Sequence, residues 1–131
     1  PLLVPLAMMT ARALDVPVVI ARRSVKAYEG AAVHITYPVG SSFKTMSLPK
    51  RLVKEGQKTV IVDDVLRTGG TLSGMRSLMD EFRVTVAGEA VLIATEEAYQ
   101  ADPDVRPLMV MEGVDAATGA AKIRPGDWLR G

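Results

Sequence analysis

Val60-Ile61-Val62-Asp63-Asp64-Val65-Leu66-Arg67-Thr68-Gly69-Gly70-Thr71 is the stretch on which the reading of this chain turns. An aliphatic run ends in two adjacent acids, and a small glycine-rich turn opens a segment with apolar residues at helical spacing. The pattern predicts a buried strand that delivers two carboxylates to its carboxyl end, then a tight loop, then a helix. Open α/β sheets bind ligands at the carboxyl ends of their strands, so the acids and the loop fall where a site is expected.

The loop suits an anion. A helix N-terminus offers free backbone N–H groups, and Thr68 and Thr71 add hydroxyls. Gly69 and Gly70 let the backbone approach the anion closely and adopt positive φ. Asp63 and Asp64 can accept charge-assisted hydrogen bonds from a vicinal diol, such as the 2′ and 3′ hydroxyls of a ribose, or hold Mg²⁺ directly or through water. Acids beside a phosphate cradle point to a sugar phosphate rather than a bare anion. The competing reading is structural: the acids merely cap the turn, and Thr68 or Thr71 is the N-cap of the helix. No G-x-x-x-x-G-K-[ST] pattern occurs, so the loop is not a Walker A loop.

These dozen residues resemble the 5-phosphoribosyl-1-pyrophosphate (PRPP) binding motif of type I phosphoribosyltransferases. The shared order is an aliphatic strand, two acids, two apolar residues and a T-G-G-T-like loop. The resemblance implies PRPP bound by Asp63, Asp64, Leu66, Arg67, Thr68, Gly69, Gly70 and Thr71, with Mg²⁺ accompanying the ligand.

Bulk properties set the frame. A chain of 131 residues is one domain, large enough to bury a core. Hydrophobic residues make up 48% and the formal net charge is +1, as in a soluble globular protein. No basic run occurs, so DNA contact is expected only through a region outside this chain. Cysteine is absent and no apolar stretch reaches the ~18 residues of a membrane span; we expect a cytoplasmic protein with no membrane partner. Pro1-Leu2-Leu3-Val4-Pro5 has no initiator Met and reads as an entry already inside a fold, so a fragment is expected.

Elsewhere the chain alternates helix and strand. Leu6 to Leu14 carries apolar residues at helical spacing, with Pro5 at the start, Pro17 just beyond the end, and Met8-Met9 read as core packing. Val16 to Ala21 is a continuous aliphatic run, expected to be a strand buried on both faces. Arg23 and Lys26 follow it, placed to grip a pyrophosphate or to form a solvated basic loop. Val33, Ile35 and Tyr37 alternate with His34 and Thr36, and Gly40-Ser41-Ser42 turns the chain, so a hairpin is expected over Ala32 to Leu48. His34, the only histidine, is read as a surface residue. A short helical turn closed by Gly56 precedes Lys58 to Val62, expected to be the central strand. Leu72, Met75, Leu78, Met79 and Phe82 mark a helix with Arg76 on its solvent side. Val84 to Ala94 reads as a strand interrupted by Gly88 and Glu89; Leu108 to Met111 and Ile123 onward suggest short ones. Trp128, the only tryptophan, is read as a packing residue, with contact to a purine ring as the alternative.

The expected architecture is α/β: a type I phosphoribosyltransferase-like parallel sheet with an inserted antiparallel hairpin, residues 1–131 forming one domain that lacks its N-terminal portion. In the family such a hairpin is a mobile loop that closes over PRPP. Val16 to Arg23, with Lys26 and Glu29-Gly30, is similar to adenine phosphoribosyltransferases and to the purine operon repressors that reuse their fold. Tyr37 to Ser42, Lys44 to Met46, Leu78 to Phe82, Val86 to Gly88 and Ile123 to Arg130 resemble the repressors. That branch carries an N-terminal winged helix for DNA and uses this domain to sense PRPP; it is not known for catalysis. Two hypotheses follow. The first is the PRPP-sensing domain of a homodimeric purine-responsive regulator, and the second is an active purine phosphoribosyltransferase. Arg67 departs from the small residue usual before T-G-G-T in the adenine enzymes; a long cation there could reach a phosphate or crowd a purine.

Overall fold

The first helix, α1 (Leu3–Leu14), starts two residues before Pro5, which therefore sits in the first turn, where its missing N–H costs no helical bond. It ends on Asp15, held at φ 54, with the Val16 N–H reaching back to the Ala11 carbonyl at 2.9 Å. The structure, a computed structural model, describes residues 3–23 and 30–130.

Two sheets follow. Strands β1 (Ala32–Val39) and β2 (Ser42–Pro49) form an antiparallel hairpin with Val39 opposite Ser42, leaving Gly40-Ser41 as a two-residue turn. Gly40 has φ 59, a value such a turn requires and glycine adopts without strain. The expected alternation holds: Tyr37 is buried, Val33 and Ile35 pack against the core, and His34 and Thr36 are exposed. After a 3₁₀ turn (Lys50–Leu52) come β3 (Lys58–Leu66), α2 (Gly70–Glu81), β4 (Thr85–Thr95), α3 (Glu96–Ala101), β5 (Arg106–Val114) and β6 (Ala121–Pro125). They form a sheet of order β3-β4-β5-β6, parallel except for the last pair.

One core joins the layers. Leu72, Leu78 and Met79 of α2 pack with Ile61 and Leu66 of β3, Val91 and Ala94 of β4, Val110 of β5, and Tyr37, Met46 and Leu48 of the hairpin. Burying each large aliphatic side chain of this set contributes about 1.5–3 kcal/mol.

Several expectations need correction. Residues 16–21 are not a buried strand; Val16, Val18 and Val19 are 38–51% exposed, and among the described residues the segment is tied to a sheet through the bridge that Arg22, just after it, makes with Ser47. An aliphatic run is buried only where a second surface meets it, and here residues 16–21, α1 and β3 leave an apolar groove of about 480 Å³ between them. Consequently β3 is the edge of its sheet among the described residues rather than the centre. Met8 and Met9 are exposed at 56% and 73%, because α1 turns only Ala11 fully inward. Arg76 is not on the solvent side. It donates to Glu89 on β4 at 2.7 and 2.6 Å and to Asp102 after α3 at 2.6 Å. Glu89 interrupts the aliphatic run of β4 because it is the partner of that guanidinium. The sheet irregularity beside it, between Thr59 and Val60, absorbs the extra residue.

Candidate functional site

Strand β3 runs past both acids to Leu66, so Asp63 and Asp64 lie within its last four residues rather than beyond it. Asp63 is buried at 6% exposure, and its Oδ1 accepts the Asp64 N–H at 2.8 Å. Asp64 is half-buried and accepts the Val65 N–H at 2.9 Å. Burial pushes the Asp63 carboxyl up to about 6; the Asp64 N–H opposes this, and the Asp64 carboxylate reinforces it. Near neutral pH Asp63 is an anion that sits uncomfortably in the fold and gains from any cation or hydroxyl brought to it.

The chain then turns through Arg67-Thr68 into Gly69, the N-cap of α2, at φ 81. No side chain caps this helix, which removes the reading in which Thr68 or Thr71 is its N-cap. The first-turn N–H groups, lacking intrahelical partners, are left to a ligand or to water. Their partial positive charge favours an anion there.

A cavity of about 570 Å³ opens over this corner. Asp63, Val65 and Leu66 supply one wall, and Arg67, Thr68, Gly69 and Thr71 curve around it with Leu72 below. Of the residues expected at the site, Asp63, Leu66, Arg67, Thr68, Gly69 and Thr71 are thus brought together. Leu66 contributes backbone and apolar wall, since its side chain is only 2% exposed. Asp64 adjoins the cavity through Asp63 without lining it, and Arg23 is exposed and lies outside the lining. Lys26 falls outside the described residues.

Gly70 has a different role from the one expected. A Cβ at Gly69 would meet open space, so that glycine is required by its φ alone. A Cβ at Gly70 would stand 2.0 Å from the Pro38 carbonyl oxygen. It is small so that the hairpin can approach the helix. One turn further on, a Cβ at Gly74 would stand 2.8 Å from the Tyr37 ring. The hairpin therefore lies on the start of α2, and Val39, Gly40 and Ser41 form the facing wall of the cavity. The resemblance implies a hairpin over the ligand, but these three residues are not among the binding residues expected from the sequence. The available signal was Gly74, since glycine inside a helix is destabilising unless another element comes close.

Other polar groups of this sheet edge are already satisfied. Arg124 on β6 pairs with Glu96, with Glu112 at 3.3 Å and with Asp127 at 3.3 Å. Arg67, by contrast, makes no hydrogen bond or ion pair among the described residues. Trp128 lies at the opposite end of β5, its Nε1–H donating to the Pro107 carbonyl and its ring under Arg106, so the packing role is the one observed. No group of three His, Cys, Asp or Glu able to hold a metal occurs among the described residues. Two adjacent carboxylates still suit Mg²⁺ carried by a phosphorylated ligand, because Mg²⁺ keeps waters and takes one or two carboxylates plus phosphate oxygens. No helix among the described residues is long and apolar enough to cross a membrane.

A strand carrying paired acids into an uncapped, glycine-rich helix start, on a mainly parallel sheet with a hairpin inserted ahead of it, defines the phosphoribosyltransferase class of α/β domain. Residues 4–116 match the phosphoribosyl transferase domain family, and the chain belongs to it. It is 40% identical over 97% of its length to the purine biosynthesis transcriptional repressor PurR of Bacillus subtilis, and 36% identical over 95% to the purine biosynthesis transcriptional activator PurR of Lactococcus lactis subsp. lactis. It spans 46% and 47% of those two proteins, about half of each. Among solved structures, the adenine phosphoribosyltransferase of Thermoanaerobacter pseudethanolicus superposes with a TM-score of 0.68 at 26% identity, covering 79% of this chain and 61% of that one.

Proposed function

We propose that this chain is the PRPP-binding effector portion of a purine-responsive transcription regulator. The observation that carries the reading is the 40% identity to a purine biosynthesis repressor across 97% of the chain, combined with a cavity that has the parts a phosphorylated ribose needs. The uncapped start of α2, with the Thr68 and Thr71 hydroxyls, receives the 5-phosphate. Asp63 and Asp64 accept the ribose hydroxyls and, through water, steady the Mg²⁺ that accompanies PRPP. Arg23 and Lys26 bind the pyrophosphate end, and Arg67 contributes a further cation at the rim. DNA is contacted by a region outside these residues, in a homodimeric cytoplasmic regulator. Repression is the output we favour; one similar regulator is a repressor and another an activator.

The likeness to an adenine phosphoribosyltransferase structure supports a second reading, an active purine enzyme. Such an enzyme joins a purine to the ribose C1 with loss of pyrophosphate through an oxocarbenium-like transition state. Mg²⁺, loop cations and exclusion of water would supply the catalysis. The acids and the phosphate loop serve both readings equally, because a sensor and an enzyme hold the same ligand. Arg67 lines the same cavity as Asp63, and we take a long cation there as an obstacle to an incoming base, which favours the sensor.

The two separate in one assay. The full-length protein is incubated with PRPP, Mg²⁺ and labelled adenine, guanine, hypoxanthine or xanthine. The sensor reading expects PRPP binding by calorimetry with no nucleotide formed. Nucleotide formation at an enzyme-like rate sinks it.

A further inference from the structure

A second charged surface lies at the far end of β3 from the cavity. We propose that Lys50, Arg51, Lys54 and Lys58 form a binding surface for the phosphate backbone of double-stranded DNA. It adds sequence-independent contacts to those made by the region outside these residues. The inference rests on the reading of the protein as a DNA-binding regulator.

The four cations stand on the connection from β2 into β3, and all are exposed. Other residues separate most of them in the sequence, and the fold makes the surface. Lys50 and Arg51 occupy the 3₁₀ turn, and the buried Val53 pins the bend that follows to the core. The Lys54 N–H donates to the Gln57 side chain at 2.8 Å, and the Gly56 N–H donates to the Arg83 carbonyl at 3.0 Å. The bend is thereby fixed beside Arg83, and Lys58 opens β3. The carboxylate within this stretch, Glu55, is answered by Arg83 at 3.6 Å. Asp80 and Glu81, on the last turn of α2, pair with none of the four. Lys50, Arg51, Lys54 and Lys58 therefore make no ion pair among the described residues, whereas Arg76 and Arg124 are each held by carboxylates of other elements. In a chain whose formal net charge is only +1, this concentration of unanswered charge is local.

Distance decides what the surface binds. Lys58 and Leu66 are the two ends of β3, roughly 26 Å apart at the rise of a strand, and Leu66 is the end at the cavity. Exposed charges interact over about 8–10 Å at ordinary salt, so the four cations do not hold the ligand of the cavity. Lys50, Arg51 and Lys54 line neither that cavity nor the apolar groove. A small anion needs donors that converge on it. Cations spread along an exposed stretch suit an extended polyanion instead, since each phosphate neutralised releases counterions and adds to the binding. The regulator reading makes that polyanion duplex DNA rather than an anionic membrane.

The test uses the full-length protein and a random-sequence DNA duplex, with affinity followed by fluorescence anisotropy as salt is raised. Combined Lys50→Gln, Arg51→Gln, Lys54→Gln and Lys58→Gln should weaken binding about tenfold or more near 0.1 M salt and make the slope of log affinity against log salt shallower by about two to four. PRPP affinity by calorimetry should stay within about twofold of wild type, because the substitutions lie beyond the screening length from the cavity. Glu55→Gln, a single exposed change, should act in the opposite direction, tightening DNA binding and steepening the slope. It decides the matter if the combined variant proves unstable.

Unchanged affinity and slope in the combined variant, with wild type binding DNA, overturns the surface and leaves the regulator reading standing. So does a Glu55→Gln variant that binds DNA no more tightly than wild type. Loss of binding to phosphatidylserine vesicles in the combined variant, with DNA binding untouched, overturns it in favour of a membrane. Failure of the wild-type protein to bind duplex DNA even at low salt brings down the regulator reading, and this inference with it.

Discussion

The Asp63 carboxylate accepts the backbone N–H of Asp64 at 2.8 Å while Asp63 stays 6% exposed, so one acid of the pair is sunk in the sheet and the other stands near its surface. The two adjacent residues are chemically alike and electrostatically different. Burial holds the Asp63 carboxyl up at about 6, against 3.8 for an ordinary carboxyl.

A pH dependence with opposite signs for folding and binding follows. The folded protein holds the Asp63 proton more tightly than the unfolded chain does, so stability of the ligand-free protein falls as pH rises from 3.8 to about 6, and the penalty is complete above that. Binding of a ribose diol or of Mg²⁺ needs the ionised form, so PRPP affinity rises through the same window. Asp63→Asn should raise the ligand-free melting midpoint by about 3–6 °C, on the order of 1 kcal/mol, and flatten the pH profile of binding. Calorimetric melting and PRPP titration below pH about 5 and above about 7 measure both effects. A variant that melts lower than wild type near neutral pH would show that the charge is not a liability.

Replacing both acids is more severe for the ligand than for the fold. Asp63→Ala with Asp64→Ala removes the diol acceptors and should abolish measurable PRPP binding, with circular dichroism unchanged. Neither carboxylate is paired to a cation among the described residues, so their loss strands no buried partner. Wild-type affinity by calorimetry would mean a different ligand or a different site.

Gly69 and Gly70 should respond to substitution for different reasons. Gly69→Asn keeps a side chain that tolerates left-handed backbone and meets open space, and should cost under about 1 kcal/mol. Gly70→Ala drives a Cβ into the Pro38 carbonyl and should cost about 2–3 kcal/mol, as overpacking of a rigid contact does. Urea denaturation ranks the two; equal costs would imply that the hairpin yields freely.

Arg76 offers a test of packing away from the cavity. Arg76→Met leaves Glu89, whose side chain is 16% exposed, and Asp102 without their shared cation, and should cost about 1–3 kcal/mol. Glu55→Gln breaks the Arg83 pair, 78% and 70% exposed, and should stay within about 0.5 kcal/mol. A near-zero cost at Arg76 would mean that solvent replaces the guanidinium without difficulty.

The elements that could be read correctly share one property, that their signal is local. Alternation over Val33 to Tyr37 gave the hairpin face, and the spacing of Leu72, Leu78 and Met79 gave the inward face of α2, because backbone geometry alone decides which neighbours share a side. The aliphatic run at 16–21 misled because hydrophobicity records a preference for burial and not whether a partner surface is met. Glu89 looked like an interruption, and Arg76 like a surface residue, until α2 and β4 were seen to pack together.

For the site, the chain by itself determined the contiguous part: two acids, a glycine-rich turn and a helix start follow one another within a few residues, so covalent geometry brings them together. The tertiary structure alone decided the rest. It set Val39, Gly40 and Ser41 against a loop about thirty residues further along the chain, gave Gly70 its role as a contact with Pro38, and buried one aspartate more than its neighbour. Those features depend on which surfaces meet when the hairpin settles on α2, and close packing between elements far apart in the chain has no local pattern from which it could be read.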